Sequence, residues 1–277
     1  MKNNFFIIYI KGFLMGVCEL IPGISGSTMA LFLNLYERLI FSLNSYLPHN
    51  FYKIIKSKNR KKEIQKLEIP FLFFLILGIL SAVFSFSHLL GFFIENYRNY
   101  IFSLFVGFII ISTFLQGRHS ISIKTIKYSI VGLLFGISLI FLSPKNLIGS
   151  SSFEILIAGI ISIIFGLLPG ISGSFMLLIL GKYEFILNSI RNFDFQIIFF
   201  FLIGIIIGTV LFVSIIKTLL DKHHKKLLSF FFAFVLGSIG VLILEILHNI
   251  SQVSLPLVSL YFVLGLGLGF LLNFFMK

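Results

Sequence analysis

Two hexapeptides hold most of the chemistry this chain can offer. Pro22-Gly23-Ile24-Ser25-Gly26-Ser27 recurs 147 residues later as Pro169-Gly170-Ile171-Ser172-Gly173-Ser174. Proline lacks a backbone N–H and clashes with the preceding turn, and glycine loosens the backbone after it. Each hexapeptide is therefore expected to break a helix, with a new helix starting at its Ser-Gly-Ser end. The first N–H groups of a helix have no intrahelical partner, and the aligned peptide dipoles add partial positive charge there. Ser25, Ser27 and Thr28 in one copy, and Ser172 and Ser174 in the other, add hydroxyl donors, while Gly26 and Gly173 permit close backbone approach. Such an arrangement suits an anion, phosphate above all. The plainer alternative is that the serines cap a helix and the break serves packing.

The likeness extends beyond the hexapeptides. Residues 22–37 align with 169–184 without a gap, with 11 identities in 16 positions, ending on Tyr36-Glu37 and Tyr183-Glu184. Apolar bias does not supply shared Pro, Ser and Glu, so this is an internal repeat. Glu19 stands three residues before Pro22, about 4–5 Å along a helix, and an acid at that depth is a functional candidate by default. Either it couples transport to a proton gradient or it bonds exposed backbone at the break. Its counterpart is Gly166. Glu37 and Glu184 fall about twelve residues past the helix starts, roughly 18 Å along a continuous helix. There they could gate access, exchanging contacts with Arg38 and Lys182, or form interfacial salt bridges. Tyr36 and Tyr183 fit interfacial anchoring. No Lys or Arg lies within a turn or two of either break; Lys11 is expected to snorkel to the surface.

The elements that position these residues belong in lipid. Of 277 residues, 58% are hydrophobic and only 12% charged, with a mean hydropathy of +1.07. Soluble chains carry about 25% charged residues. Six apolar stretches, 69–94, 99–115, 128–143, 197–216, 227–248 and 257–275, approach the roughly 20 residues of a spanning helix. The two broken segments, 5–46 and 153–190, each read as two half-length helices joined at the hexapeptide, and such a break survives in lipid only when buried or facing a wet cavity. The opening run mimics a signal peptide, but Lys11 interrupts it and no cleavage site follows, so it is expected to be retained. The lone Cys18 rules out an internal disulfide, and neither it nor the six scattered His has metal-ligand spacing; no cofactor or metal is expected.

Charge placement sets an expected topology. If each broken segment is a re-entrant hairpin and the N-terminus is cytoplasmic, sixteen of the 22 Lys and Arg fall inside, seven of them in 48–68. Arg98, Lys145 and Arg191 fall outside, and Lys11, Arg38 and Lys182 lie within the hairpins. This follows the positive-inside rule, so the net charge of +12 needs no nucleic-acid partner, and the Lys58–Lys62 run suits anionic lipid heads. Three spans separate the hairpins, so the second enters from the opposite face. The expected fold is all-α and polytopic, one membrane domain with an inverted-topology repeat: 1–147 and 148–277, each a re-entrant hairpin plus three transmembrane helices. Such repeats place their substrate site near the midplane, at broken helices.

The paired motif, Gly16-x-x-Glu19-x-x-Pro22-Gly-Ile-Ser-Gly-Ser-Thr28 through Tyr36-Glu37 with its second copy, resembles a bacterial membrane family once catalogued as a domain of unknown function and now described as undecaprenyl-phosphate (polyprenyl-phosphate) translocases of the PopT type. The resemblance spans essentially the whole chain. That family often reads Ser-Gly-Gly-Thr where this chain has Ser25-Gly26-Ser27-Thr28, and Asp at the place of Glu19. The resemblance implies a multi-pass protein of the bacterial cytoplasmic membrane that returns the lipid carrier phosphate to the inner leaflet for reuse in cell-wall glycan synthesis, driven by a proton or sodium gradient. Substrate binding would fall to Ser25, Gly26, Ser27, Thr28, Ser172, Gly173 and Ser174, and coupling or gating to Glu19, Glu37, Arg38 and Glu184. The partners would be the anionic polyprenyl-phosphate and membrane lipids. Two rivals remain: a channel or transporter for a small inorganic anion, and a phosphatase of the undecaprenyl-pyrophosphate type, although Gly26 and Gly173 stand where such an enzyme carries Arg.

Overall fold

Backbone polar groups have no water to bond in lipid, so a chain this apolar is driven into helix. The structure, a computed structural model, describes residues 4–21, 24–57, 64–142, 151–248 and 254–275, and every regular element among them is helical. Pro22 and Gly23 of the first hexapeptide lie outside the described residues, as do Lys145 and the Lys58–Lys62 run. In chain order the helices are α1 (Phe5–Glu19), α2 (Gly26–Phe32), α3 (Tyr36–Ser45), α4 (Pro48–Lys56), α5 (Ile69–Gly117) and α6 (Ile126–Ser138), then a 3-10 turn (Leu139–Phe141). They continue as α7 (Ser152–Leu167), α8 (Gly173–Ile179), α9 (Tyr183–Arg191), α10 (Phe195–His248) and α11 (Leu255–Phe275).

α5 and α10, of 49 and 54 residues, would run about 70–80 Å if straight, more than twice a bilayer core. Each folds at one non-helical residue, Tyr97 (φ −134°) in α5 and His223 (φ −138°) in α10. The expected stretches 69–94 and 99–115 are thus the two arms of α5, and 197–216 and 227–248 those of α10, with no loop between arms. The 128–143 stretch is displaced: its helix starts at Ile126 and its 3-10 turn ends at Phe141. Ile69–Ser87, Asn96–Gly117, Phe195–His248 and Leu255–Phe274 are long and apolar enough to cross a membrane. Outward-facing Phe84, Phe199, Leu264 and Phe274 give these helices apolar outer walls. α4 places a helix at the start of the basic 48–68 stretch.

Each broken segment holds three helices rather than two half-helices. α2 and α8 are both seven residues long, and both end on a residue with positive φ, Asn34 (54°) and Gly181 (68°), at matching places in the repeat. The N–H of the next residue bonds back five positions, Leu35 to Ala30 O and Lys182 to Leu177 O, both at 2.8 Å. That is the Schellman ending, which calls for Gly or Asn in the left-handed conformation. α9 then departs from α8 at 113°. Glu37 and Glu184 therefore do not lie 18 Å down a continuous helix: they begin a new one, off the axis of the short helix before it.

Without a hydrophobic driving force between helices in lipid, small residues let backbones close up. α1 packs on the first arm of α5, where Gly12 and Gly78 each face a backbone carbonyl of the other helix, Leu75 and Tyr9; α7 packs on the first arm of α10 through Gly159 and Gly204, against Phe201 and Leu156. α11 meets the second arm of α5 at Gly265 and Gly107, and α6 meets the second arm of α10 at Gly136 and Gly237. A β-carbon at Gly265 would intrude on Leu104 O and sit 2.9 Å from Phe108 N, whereas nothing lies within 4 Å of one at Gly267. Gly265→Ala is expected to destabilise the detergent-solubilised protein by about 1–3 kcal/mol through overpacking. Gly267→Ala should be neutral or stabilising by up to about 1 kcal/mol. Thermal unfolding of both variants checks this, and equal shifts would contradict the packing account.

Candidate functional site

The two breaks meet in the core, although 147 residues separate them in sequence. The Gly170 N–H donates to Thr28 Oγ1 at 2.7 Å, and Ser25 Oγ donates to Gly166 O at 3.3 Å. Gly170 holds φ at +112°, a conformation that favours glycine, and a β-carbon there would also strike Phe234. The exposed backbone of the second break is thus satisfied by hydroxyls at the start of the first short helix. Ser25, Thr28 and Ser172 are at most 3% exposed, and Ser27 is buried.

Both serines at the helix starts are N-caps. Ser25 Oγ accepts from the Ser27 N–H (3.1 Å) and lies 2.5 Å from Ser27 Oγ. Ser172 Oγ accepts from the Phe175 N–H (3.2 Å) and lies 3.1 Å from Ser174 Oγ. Ser174 is exposed. The capping alternative raised by the sequence is therefore present in the geometry.

Glu19, at the end of α1, accepts a hydrogen bond from the Gly26 N–H at 2.6 Å. A carboxylate already occupies the start of α2, where the orphaned N–H groups favour negative charge. Glu19 is itself exposed, so the contact borders an opening. In the second copy Gly166 replaces it, and Ser162 Oγ donates to Gly173 O at 3.2 Å. Gly26 and Gly173 serve packing as well as any ligand: a β-carbon would lie 2.8 Å from Glu19 Oε2 at the first and 2.5 Å from Ser162 O at the second.

Lys11 does not reach the surface. It is buried, and its Nζ donates to Leu33 O at 2.8 Å, at the end of α2. Gln116 Nε2 donates to Phe32 O beside it. The last carbonyls of a helix are orphaned and carry the negative end of the dipole, so a buried cation is better satisfied there than by stretching to water. Tyr36 does not anchor at an interface either: it is 1% exposed and packs edge-on against Phe231, while Tyr183 is exposed.

The remaining predicted residues stand apart from the breaks. Glu37 Oε1 lies 2.7 Å from His224 Nε2, near the bend in α10. Arg38 Nε donates to Glu68 at 2.8 Å, and its guanidinium lies over the Phe71 ring. Glu184 is exposed at the start of α9. Glu37 thus meets His224, a residue that the sequence did not bring forward.

Two cavities flank the breaks. One, of about 420 Å³, is lined by Asn34 and Glu37 beyond α2, by Gln116 and His119, and by His224 and Lys225. The other, of about 790 Å³, is lined by Phe175 and Leu178 of α8, by Arg98 and Phe102, and by Glu245 and His248. Arg98 bonds Glu245 at 2.7 Å, and a β-carbon at Gly117 would meet Phe232 at 3.2 Å, so the second arms of α5 and α10 run antiparallel and the cavities lie about 30 Å apart along them. Arg98, Glu245, Ser162 and His224 did not stand out in the sequence as site residues. An acid and an arginine at the edges of long apolar runs were the available signal. Among the described residues no three His, Cys, Asp or Glu gather as metal ligands.

The Thr28 contact makes a specific prediction. Thr28→Val leaves the buried Gly170 N–H unpaired, which is expected to cost about 1–3 kcal/mol, while Thr28→Ser keeps the acceptor and most of the stability. Thermal unfolding of the two variants decides it; equal losses would show that shape, not the hydrogen bond, matters at this position.

Comparison with known proteins places the chain. It is 29% identical to a polyprenyl-phosphate transporter of Vibrio cholerae, over 85% of this chain and 77% of that protein. It is 30% identical to a polyprenyl-phosphate transporter of Staphylococcus aureus, over 97% of this chain and 98% of that protein. Both names are those of transporters, not enzymes. No solved structure matches at a significant level. The model of the VCA0040-like family, described as undecaprenyl phosphate translocase-like, matches residues 15–255, and the chain belongs to that family.

Proposed function

We propose that the chain flips undecaprenyl phosphate, or a polyprenyl phosphate of that class, across the bacterial cytoplasmic membrane, returning the carrier for cell-wall glycan synthesis. The observation that carries this reading is the meeting of the two helix starts. Thr28 of one break holds Gly170 of the other, and each short helix adjoins a different cavity at a different end of the bundle. A phosphate passed from one start to the other would cross the apolar core while bonded to hydroxyls and N–H groups. The names of the relatives point to the same substrate.

An inverted-topology repeat supports this path. In it, 1–147 and 148–277 form one membrane domain, and the hairpins 5–46 and 153–190 enter from opposite faces with both termini cytoplasmic. The matched short helices, their matched Schellman endings and the recurring glycine contacts favour it. Ser25, Gly26, Ser27 and Thr28 with Ser172, Gly173 and Ser174 form the phosphate path.

Glu19 is the coupling group. Its carboxylate stands where the phosphate must bond, on the Gly26 N–H, so substrate and carboxylate compete, and a proton taken up by Glu19 releases the helix start to the substrate. Glu37, Arg38 and Glu184 act at the ends of the path as gates. The phosphatase alternative is disfavoured by geometry: Gly26 and Gly173 pack against Glu19 and Ser162, leaving no room for the arginine that phosphoryl chemistry would need.

Vesicles containing undecaprenyl phosphate, with leaflet exposure followed under an imposed pH gradient, test the reading. Ser25→Ala/Ser172→Ala should slow movement by about tenfold or more, since a hydrogen bond to a charged group contributes about 1.5–3 kcal/mol. Glu19→Gln should retain exchange but lose its response to the gradient. Chloride flux without lipid movement would overturn the reading in favour of a small-anion pathway.

A further inference from the structure

Among the described residues no cation bonds either helix start, yet a phosphate must first be drawn out of the headgroup layer. The 790 Å³ cavity supplies what the breaks lack. Its size falls within the roughly 300–1,000 Å³ of small-molecule sites, and its polar groups gather on one side: Arg98 at the bend of α5, with Glu245 and His248 at the end of α10. The Arg98 guanidinium lies 5.3 Å from the Phe102 ring centroid and 2.7 Å from Glu245. Aromatic face and carboxylate together fix a planar group that presents five N–H donors, of which one carboxylate engages at most two.

The other walls are apolar and open outward. Leu142, Leu178, Leu244 and Leu247 line the cavity and are each 42–51% exposed, so the lining continues onto the hydrocarbon-facing surface. A free inorganic anion gains nothing from such a rim, whereas a phosphate carried on an isoprenoid chain fits both parts. The inner wall is Phe175, whose N–H caps onto Ser172, so the cavity ends at the start of α8.

We propose that this cavity is a loading site for a long-chain lipid phosphate monoester. Arg98 bonds the phosphate, Glu245 holds the guanidinium in position, and the leucine rim admits the tail. The inference rests on the lipid-phosphate reading and adds a second binding site to it, away from the breaks.

The test is equilibrium binding to the full chain in nanodiscs, using undecaprenyl phosphate, undecaprenol and inorganic phosphate as probes, alongside leaflet exchange in vesicles. Arg98→Gln should weaken undecaprenyl phosphate binding at least tenfold and leave undecaprenol unchanged. Arg98→Lys should recover part of the loss, and inorganic phosphate at the same concentration should not displace the lipid. Leu178→Trp, which fills the rim and leaves Arg98 and Glu245 in place, should also weaken lipid binding, so the proposal stays testable if Arg98→Gln does not fold. Undiminished binding by folded Arg98→Gln overturns the loading site and, with wild-type exchange intact, leaves the transport reading standing. Displacement by inorganic phosphate as readily as by the lipid overturns the lipid assignment. A wild-type protein that neither binds nor moves the lipid removes both readings.

Discussion

A broken helix in an apolar core must find partners for its exposed backbone, and in this protein the second break finds them on the first, whose own helix start is held by Glu19. The Gly170 N–H reaches Thr28, and Ser25 reaches the Gly166 carbonyl. An unpaired polar group in an apolar core has no water to fall back on, so the second break depends on the hydroxyls of the first. These bonds bring two distant hexapeptides to one place, where Ser25, Ser27, Thr28 and Ser172 are buried. The close glycine contacts between the longer helices hold the surrounding frame tightly enough for those bonds to form.

The same constraint explains where charge is tolerated. Glu19 sits on an orphaned N–H at a helix start and Lys11 on an orphaned carbonyl at a helix end, so each charge meets the matching end of the dipole of α2. Under the proposed function, a phosphate entering the start of α2 would compete with the Glu19 carboxylate that the Gly26 N–H already bonds.

Much of this was legible in the sequence because proline, glycine and serine act locally. The breaks, the caps at Ser25 and Ser172 and the contact of Glu19 with exposed backbone follow from residue type and spacing. The interruptions at 95–98 and 217–226 were legible as gaps between apolar stretches; that each is a bend at one residue, Tyr97 or His223, inside a continuous helix was not, since neither residue breaks a helix by itself. The second turn after each short helix was signalled by Asn34 and Gly181, but an apolar run on both sides hid it. Lys11 was misread because its partner, Leu33 O, is 22 residues away. The 790 Å³ cavity depends on Arg98 meeting Glu245 far along the chain, which no local pattern announces.

The most direct test of the central claim uses an undecaprenyl phosphate carrying a photoreactive diazirine beside the phosphate, irradiated with the protein in vesicles and mapped by mass spectrometry. The account predicts labelling on both sides of the meeting point, within residues 16–30 and 164–178, abolished by excess unlabelled lipid. Labelling confined to the outward faces of α5 and α11, and unaffected by competitor, would contradict it.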